Sequence, residues 1–142
     1  MGCELCERDG GSILWRDEFC RIVRVTSHEY PGYCRVILNR HASEMTDLDA
    51  GERERLMRTV FACEAALREL FRPDKINLAS LGNQVPHLHW HVIARHTDDR
   101  NFPDAIWAAP RGVDRGPAER RDTVTDARLG ARLAALLAPT DA

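Results

Sequence analysis

The chain has 142 residues, of which 44% are hydrophobic and 30% are charged, and its formal net charge is −2 at pH 7. Length and composition are those of one folded domain with an ordinary core. The weak negative charge excludes a global electrostatic basis for binding nucleic acid or an anionic membrane. No apolar run approaches the roughly 20 residues that span a bilayer, and the polar N-terminus is unlike a secretory signal. We therefore expect a cytoplasmic protein.

Short runs rich in β-branched and aromatic residues predict three strands near the N-terminus. They cover residues 13–15, 20–26 and 33–39, and Pro31-Gly32 marks a turn before the third. We expect these strands to pair in antiparallel fashion.

Residues 49–71 predict a long amphipathic helix. Asp49 and Glu52 have the spacing of a capping pair at its start, and Pro73 ends it. Apolar residues recur at steps of three and four residues and form one stripe, which we expect to pack on the sheet. The stripe consists of Leu56, Val60, Cys63, Leu67 and Leu70.

The second half of the chain predicts two further strands and a short helix. The strands cover residues 76–80 and 87–95, with a loop between them, and the helix covers residues 127–137, with Leu129, Leu133 and Leu136 on one side. The order of elements predicts an α+β fold, with an antiparallel sheet of about five strands and one long helix packed on it.

The composition changes after residue 110. Residues 111–121 are charged and contain Gly112, Gly116 and Pro117, which is typical of a linker. We therefore expect one domain over residues 1–110, followed over 111–142 by a charged linker and the C-terminal helix.

The most informative segment is residues 86–93, in which three histidines alternate with apolar residues. Side chains of a strand alternate between its two faces, so His87, His89 and His91 are predicted to share one face. Such a row can serve nucleophilic or acid–base chemistry. The alternatives are three exposed histidines without a function and a metal site made by all three. A straight row converges on one ion only if another element bends over it.

This alternation resembles the sequence signature of the histidine triad family. In that signature single apolar residues separate three histidines, and two apolar residues follow the third histidine. Residues 82–85 stand where that family carries a phosphate-binding loop. Residues 33–41 are similar to the family's apolar strand that ends in a basic residue and a histidine. The resemblance covers about residues 3–95 and implies the antiparallel fold of that family.

The resemblance also implies an activity. His89 is the implied nucleophile, which attacks the α-phosphate of a nucleoside phosphoramidate or dinucleoside polyphosphate and forms a nucleotidyl–histidine intermediate that water resolves. Its other ring nitrogen is expected to donate to a backbone carbonyl. His91 is implied to stabilise the reacting phosphate. The implied substrate-binding residues are Asn77, Gly82, Asn83, Gln84 and His91.

Cys3 and Cys6 have the spacing of a zinc-binding pair, although two cysteines alone do not complete a tetrahedral site. The alternative is a pair of reduced thiols without a metal. The resemblance supplies two further ligands, because bacterial members of the family bind structural zinc with such a pair, the histidine that closes the second core strand, and the first triad histidine. These correspond to His41 and His87.

The sequence departs from the family pattern at several positions. Tyr33 stands where members usually carry a histidine, and no acidic residue occupies the usual ribose-binding position before the turn. Asn83 replaces a common glutamine but carries the same hydrogen-bonding groups. Trp107 lies beyond the minimal family domain, and we expect it to pack against the fold rather than to wall the site.

Two other functions remain open at this stage. One is nucleotidyl transfer on the same fold, although a related transferase branch has glutamine in place of the third histidine, where this chain has His91. The other is a non-catalytic, zinc-stabilised module that binds a nucleotide or a protein. The resemblance also implies a homodimer.

Overall fold

A computed structural model describes residues 2–111 and 123–139. Its elements follow the chain in this order: helix α1 (Glu4–Glu7), strands β1 (Ser12–Arg16), β2 (Cys20–Arg24) and β3 (Tyr33–Leu38), a 3₁₀ turn (Met45–Asp47), helix α2 (Ala50–Phe71), strands β4 (Lys75–Ala79) and β5 (His89–Arg95), and helix α3 (Asp126–Leu137). The predicted linker over residues 111–121 lies almost entirely outside the described residues.

All five strands form one sheet in the order β1-β2-β3-β5-β4, and every neighbouring pair is antiparallel. The predicted fold class is therefore confirmed. No helix in the described ranges is long and apolar enough to cross a membrane.

Helix α2 begins and packs as its sequence predicts. The Asp49 carboxylate accepts a hydrogen bond from the Glu52 N–H at 2.8 Å, and the Glu52 carboxylate accepts one from the Asp49 N–H at 3.0 Å. This reciprocal pair satisfies two N–H groups that the first helical turn leaves unpaired. The predicted stripe packs on the sheet, with Leu56, Val60 and Leu67 fully buried and Leu70 at its margin.

Helix α3 completes the same core. Thr125 caps its start by accepting the Arg128 N–H at 3.1 Å, and Leu129 and Leu133 are fully buried. Leu136, predicted on the same side, is instead 37% exposed, and Leu137 packs against the core in its place. The helix contacts α2 and β1, so it extends the packed layer that covers one face of the sheet.

The structure departs from the sequence predictions at the N-terminus and at the start of β5. The N-terminal segment, for which no element is predicted, forms helix α1, whose Leu5 packs against Val23 and Ile37. Strand β5 starts at His89 rather than at residue 87. After Pro86 the His87 N–H closes a tight turn on the Val85 carbonyl at 2.8 Å, so this residue is held in the loop and not in the strand.

Candidate active site and metal centre

The register of the sheet places two of the three histidines on its open face. His89 lies opposite Ile37, and His91 lies opposite Arg35, in the antiparallel pair β3–β5. Trp90, between them, is on the face that packs against the core. The alternation read from the sequence therefore holds from His89 onward.

A backbone carbonyl orients the ring of His89. Its Nδ1 lies 2.5 Å from the carbonyl oxygen of His87. A carbonyl only accepts hydrogen bonds, so Nδ1 carries the proton and Nε2 keeps its lone pair. Burial lowers the pKa of this imidazole, which favours the neutral ring, although its hydrogen bond to His87 opposes the shift. A neutral, oriented imidazole with one free nitrogen is suited to nucleophilic attack.

His91 lies beside it, with the two ring centroids 4.9 Å apart. Its Nδ1 is 3.0 Å from the hydroxyl of Tyr33, the residue that departs from the family pattern. Burial lowers the pKa of His91 to about 4, with smaller contributions from the neighbouring His89 and Arg35. His91 is therefore neutral at pH 7 and oriented by a phenol.

Both histidines open into a cleft of about 340 Å³ that the phosphate-loop segment also lines. Gly82, Asn83 and Gln84 come from the loop before β5, and Gly82 has φ +78°, a left-handed conformation that favours glycine. Five of the six predicted catalytic and substrate-binding residues thus meet in one place: His89, His91, Gly82, Asn83 and Gln84.

Asn77 is the predicted binding residue that the structure places elsewhere. It lies opposite Ile93, further along the sheet, and its side-chain oxygen accepts a hydrogen bond from Arg95 at 2.7 Å. Arg95 is buried and also pairs with Asp99, at 2.7 and 2.9 Å. In this structure Asn77 therefore orients the buried guanidinium of Arg95.

The cleft also contains residues that sequence reasoning missed. Arg35 lines it from β3, and Trp107 lines it from the segment after β5. Trp107 is 50% exposed and its ring centroid lies 4.9 Å from that of His91, so the expected packing role is wrong. The position of Arg35 in the middle of an otherwise apolar strand could have indicated a functional role for it.

The first histidine belongs to a different cluster. His87 is fully buried; its Nε2 donates to the Leu38 carbonyl at 2.6 Å, and its Nδ1 faces the sulfur atoms of Cys3 and Cys6 at 3.3 and 3.4 Å. His41 Nδ1 lies 3.5 Å from the sulfur of Cys6. Each of these four residues offers one ligand atom, and the four atoms lie within 4.8 Å of one another. The cluster can hold a metal ion, and the separation of His87 from the other two histidines is incompatible with a site made by all three.

The comparisons with known proteins agree with this geometry. The HIT domain model matches residues 9–98. A histidine triad protein from Bradyrhizobium japonicum is 28% identical over 88% of this chain and 92% of its own, with a TM-score of 0.71. One from Marinobacter aquaeolei is 27% identical, covering 96% and 97%, with a TM-score of 0.70. One from Sinorhizobium meliloti is 26% identical, covering 96% of each chain, with a TM-score of 0.69.

No curated protein sequence matches the chain. The family model nevertheless spans more than half of it, including the sheet, helix α2 and the histidines of the cleft. The chain therefore belongs to the HIT, or histidine triad, family.

Proposed function

We propose that the protein is a nucleotide hydrolase in which Nε2 of His89 attacks the α-phosphate of a nucleoside phosphoramidate or dinucleoside polyphosphate. The observation that carries the proposal is the contact between His89 Nδ1 and the His87 carbonyl, which leaves Nε2 unprotonated in the cleft. Family membership supports nucleotide hydrolysis or transfer in general.

The reaction divides into two displacements at phosphorus. In the first, the bond from Nε2 to phosphorus forms, and the bond to the leaving nitrogen or oxygen breaks with its electron pair; a leaving nitrogen takes up a proton from solvent and departs as the neutral amine. In the second, water attacks phosphorus, the nitrogen–phosphorus bond breaks, and the water's proton leaves to solvent or a base. Each barrier is lower than that of one direct hydrolysis, because the imidazole is a better nucleophile than water in the first step and a good leaving group in the second.

The rest of the cleft has supporting roles in this proposal. The loop of Gly82, Asn83 and Gln84 provides amide donors for the phosphate oxygens, and the left-handed Gly82 lets the ligand approach the backbone. His91, held by Tyr33, stabilises charge on the reacting phosphate.

We propose zinc as the ion of the four-residue cluster, with a structural role. Tetrahedral zinc bonds of about 2.3 Å to sulfur and 2.0–2.1 Å to nitrogen separate these ligand atoms by roughly 3.5 Å. The sulfur–nitrogen distances of 3.3, 3.4 and 3.5 Å match that geometry. Bound zinc would join helix α1 to the loop before β5, next to His89. We further propose a cytoplasmic homodimer that binds neither nucleic acid nor membrane.

The experiment that tests the activity traps the intermediate. The wild-type protein is mixed with adenosine 5′-phosphoramidate or a diadenosine polyphosphate and quenched in base, since phosphorus–nitrogen bonds to histidine are acid-labile. We expect an adenylyl adduct on the peptide that contains His89, and none in His89→Ala. An adduct on another residue contradicts the mechanism. Binding without turnover favours a non-catalytic module, and a product joined to added phosphate acceptor in place of water favours transfer.

A further inference from the structure

Arg35 is a positively charged side chain in the cleft to which the proposed chemistry assigns no part. It lies opposite His91 in the sheet and lines the cleft beside both histidines. Its Nη1 donates to the Gly10 carbonyl at 3.0 Å. Its Nε is buried and has no hydrogen-bond partner among residues 2–111 and 123–139.

The guanidinium also lacks an internal counter-ion in the part of the chain that the structure describes, where no carboxylate forms an ion pair with it. Among the described residues that line the cleft there is no aspartate or glutamate. Arg95, the other arginine on this face of β3 and β5, is by contrast neutralised by Asp99 at 2.7 Å. Arg35 is half-buried, and partial removal of a cation from water without a counter-ion is unfavourable, so Arg35 is placed to receive an anion from outside the protein.

The side chain is also held in position for such an anion. The guanidinium carbon lies 5.8 Å from the centroid of the Tyr33 ring, which contacts His91 through its hydroxyl. A fixed guanidinium fork matches the oxygens of a phosphate group better than a flexible ammonium does. In the proposed function the loop of residues 82–84 and His91 already bind the α-phosphate at His89.

We propose that Arg35 binds a second phosphate group of the substrate, distinct from the α-phosphate that His89 attacks. This inference rests on the proposed function. The second phosphate has two possible sources: the leaving group of a phosphoanhydride, or a phosphate on the sugar. In either case Arg35 selects substrates with at least two phosphate groups over a simple nucleoside phosphoramidate.

The test compares kcat/KM for the wild-type protein and Arg35→Leu on three substrates. They are adenosine 5′-phosphoramidate, diadenosine tetraphosphate and 3′-phosphoadenosine 5′-phosphoramidate. We expect Arg35→Leu to lose less than threefold on the first and about 10- to 100-fold on the substrate whose second phosphate reaches the guanidinium, as for loss of a charged hydrogen bond. The substrate on which kcat/KM falls, of the other two, identifies the source of the second phosphate.

Two variants support the comparison. Arg132→Leu removes a partly exposed arginine on helix α3, which pairs with Glu69, and is expected to leave all three rates unchanged. Arg35→Lys keeps the charge without the fork, and we expect a smaller loss with the same substrate preference. If Arg35→Leu does not fold, Arg35→Lys is compared with the wild-type protein on the same three substrates.

Equal losses on all three substrates would place Arg35 on the α-phosphate and overturn the inference, as would losses below threefold throughout. A binding measurement separates this failure from failure of the proposed function. We expect the wild-type protein to bind ADP or adenosine 3′,5′-bisphosphate at least tenfold more tightly than AMP, and Arg35→Leu to lose that preference. If the wild-type protein turns over none of the substrates, the hydrolase proposal fails while this affinity ratio still decides the role of Arg35.

Discussion

His89 donates from Nδ1 to the carbonyl oxygen of His87 over 2.5 Å, while the ring of His87 faces the two N-terminal cysteines through its own Nδ1. One residue therefore contributes its backbone to the proposed nucleophile and its side chain to the candidate metal centre. Any change that moves the His87 backbone changes the orientation of the attacking imidazole.

Loss of the metal is expected to lower activity as well as stability. Cys6→Ser removes one ligand of the cluster, so we expect the bound zinc to fall from about one per chain to nearly none. We expect kcat to drop about tenfold or more, as when an outer partner of a site is removed. Metal analysis and steady-state kinetics below the unfolding temperature check this.

The matched control is Cys63→Ala, which truncates a buried cysteine in the core away from the cluster. It is expected to retain zinc and kcat while losing stability. Full activity of a zinc-free Cys6→Ser protein would contradict the coupling between the two sites.

The three histidines are expected to respond differently to alanine. His89→Ala removes the nucleophile and should abolish hydrolysis, while nucleotide binding is largely kept. His91→Ala removes a stabilising contact and should lower kcat by about 10²–10³-fold. His87→Ala removes a metal ligand and should lower the free energy of unfolding, with a fall in kcat similar to that of Cys6→Ser and far smaller than that of His89→Ala. Retention of most activity by His89→Ala, measured beside nucleotide affinity, would refute these assignments.

Burial of His91 predicts a specific acid sensitivity. Because burial lowers the pKa of His91 from 6.5 to about 4, the unfolded chain binds a proton here before the folded protein does. Between these two pH values the unfolded state holds more protons, so the free energy of unfolding falls as the pH is lowered. The contribution is fully present above pH 6.5, and the loss reaches about 3 kcal/mol at pH 4.

His91→Gln lacks this titration and is the comparison protein. Urea unfolding of both proteins from about pH 7.5 to 4.5 should show their difference in free energy shifting by about 2–3 kcal/mol in favour of the variant at acid pH. All other groups are common to both proteins, so their contribution largely cancels. A difference that stays constant with pH would show that His91 is not held neutral by burial.

The ion pair of Arg95 and Asp99 fastens the segment that carries Trp107 to the end of β5. Both side chains are buried, with 1% and 5% exposed, and Asp99 also accepts the N–H groups of Asn101 and Phe102. Asp99→Asn leaves a buried guanidinium without its counter-ion, and we expect a loss of about 3–5 kcal/mol in the free energy of unfolding.

Asp104→Asn is the matched change on the surface, since Asp104 pairs with the exposed Arg111. It should cost about 1 kcal/mol or less. If the two variants lose the same free energy of unfolding in chemical denaturation, the Arg95–Asp99 pair does not stabilise this segment as we propose.

Several features of the fold were predictable because their causes are local. The capping pair Asp49 and Glu52, and the apolar stripe that follows, predict helix α2 from spacing alone. Period-two alternation places His89 and His91 on one face because strand geometry leaves no other choice. The cysteine pair and the resemblance around it named the four residues that the structure brings together.

Other features depended on contacts between residues far apart in the chain. His87 continues the alternation in sequence, but its ring donates to the distant Leu38 carbonyl and faces the sulfur atoms of Cys3 and Cys6. Asn77 accepts a hydrogen bond from Arg95, which also pairs with Asp99. Neither effect has a local signal.

The sequence by itself therefore determined the sheet and the long helix, because periodicity and spacing encode them. The nucleophile candidate and the complete ligand set followed from the resemblance of its motifs to the histidine triad family. Only the tertiary structure decided what surrounds the nucleophile. Arg35 enters the cleft through the register of β3 against β5. Trp107 reaches His91 because the segment after β5 folds back onto the sheet. Register and chain reversal are set by packing of the whole domain, which no short stretch of residues specifies.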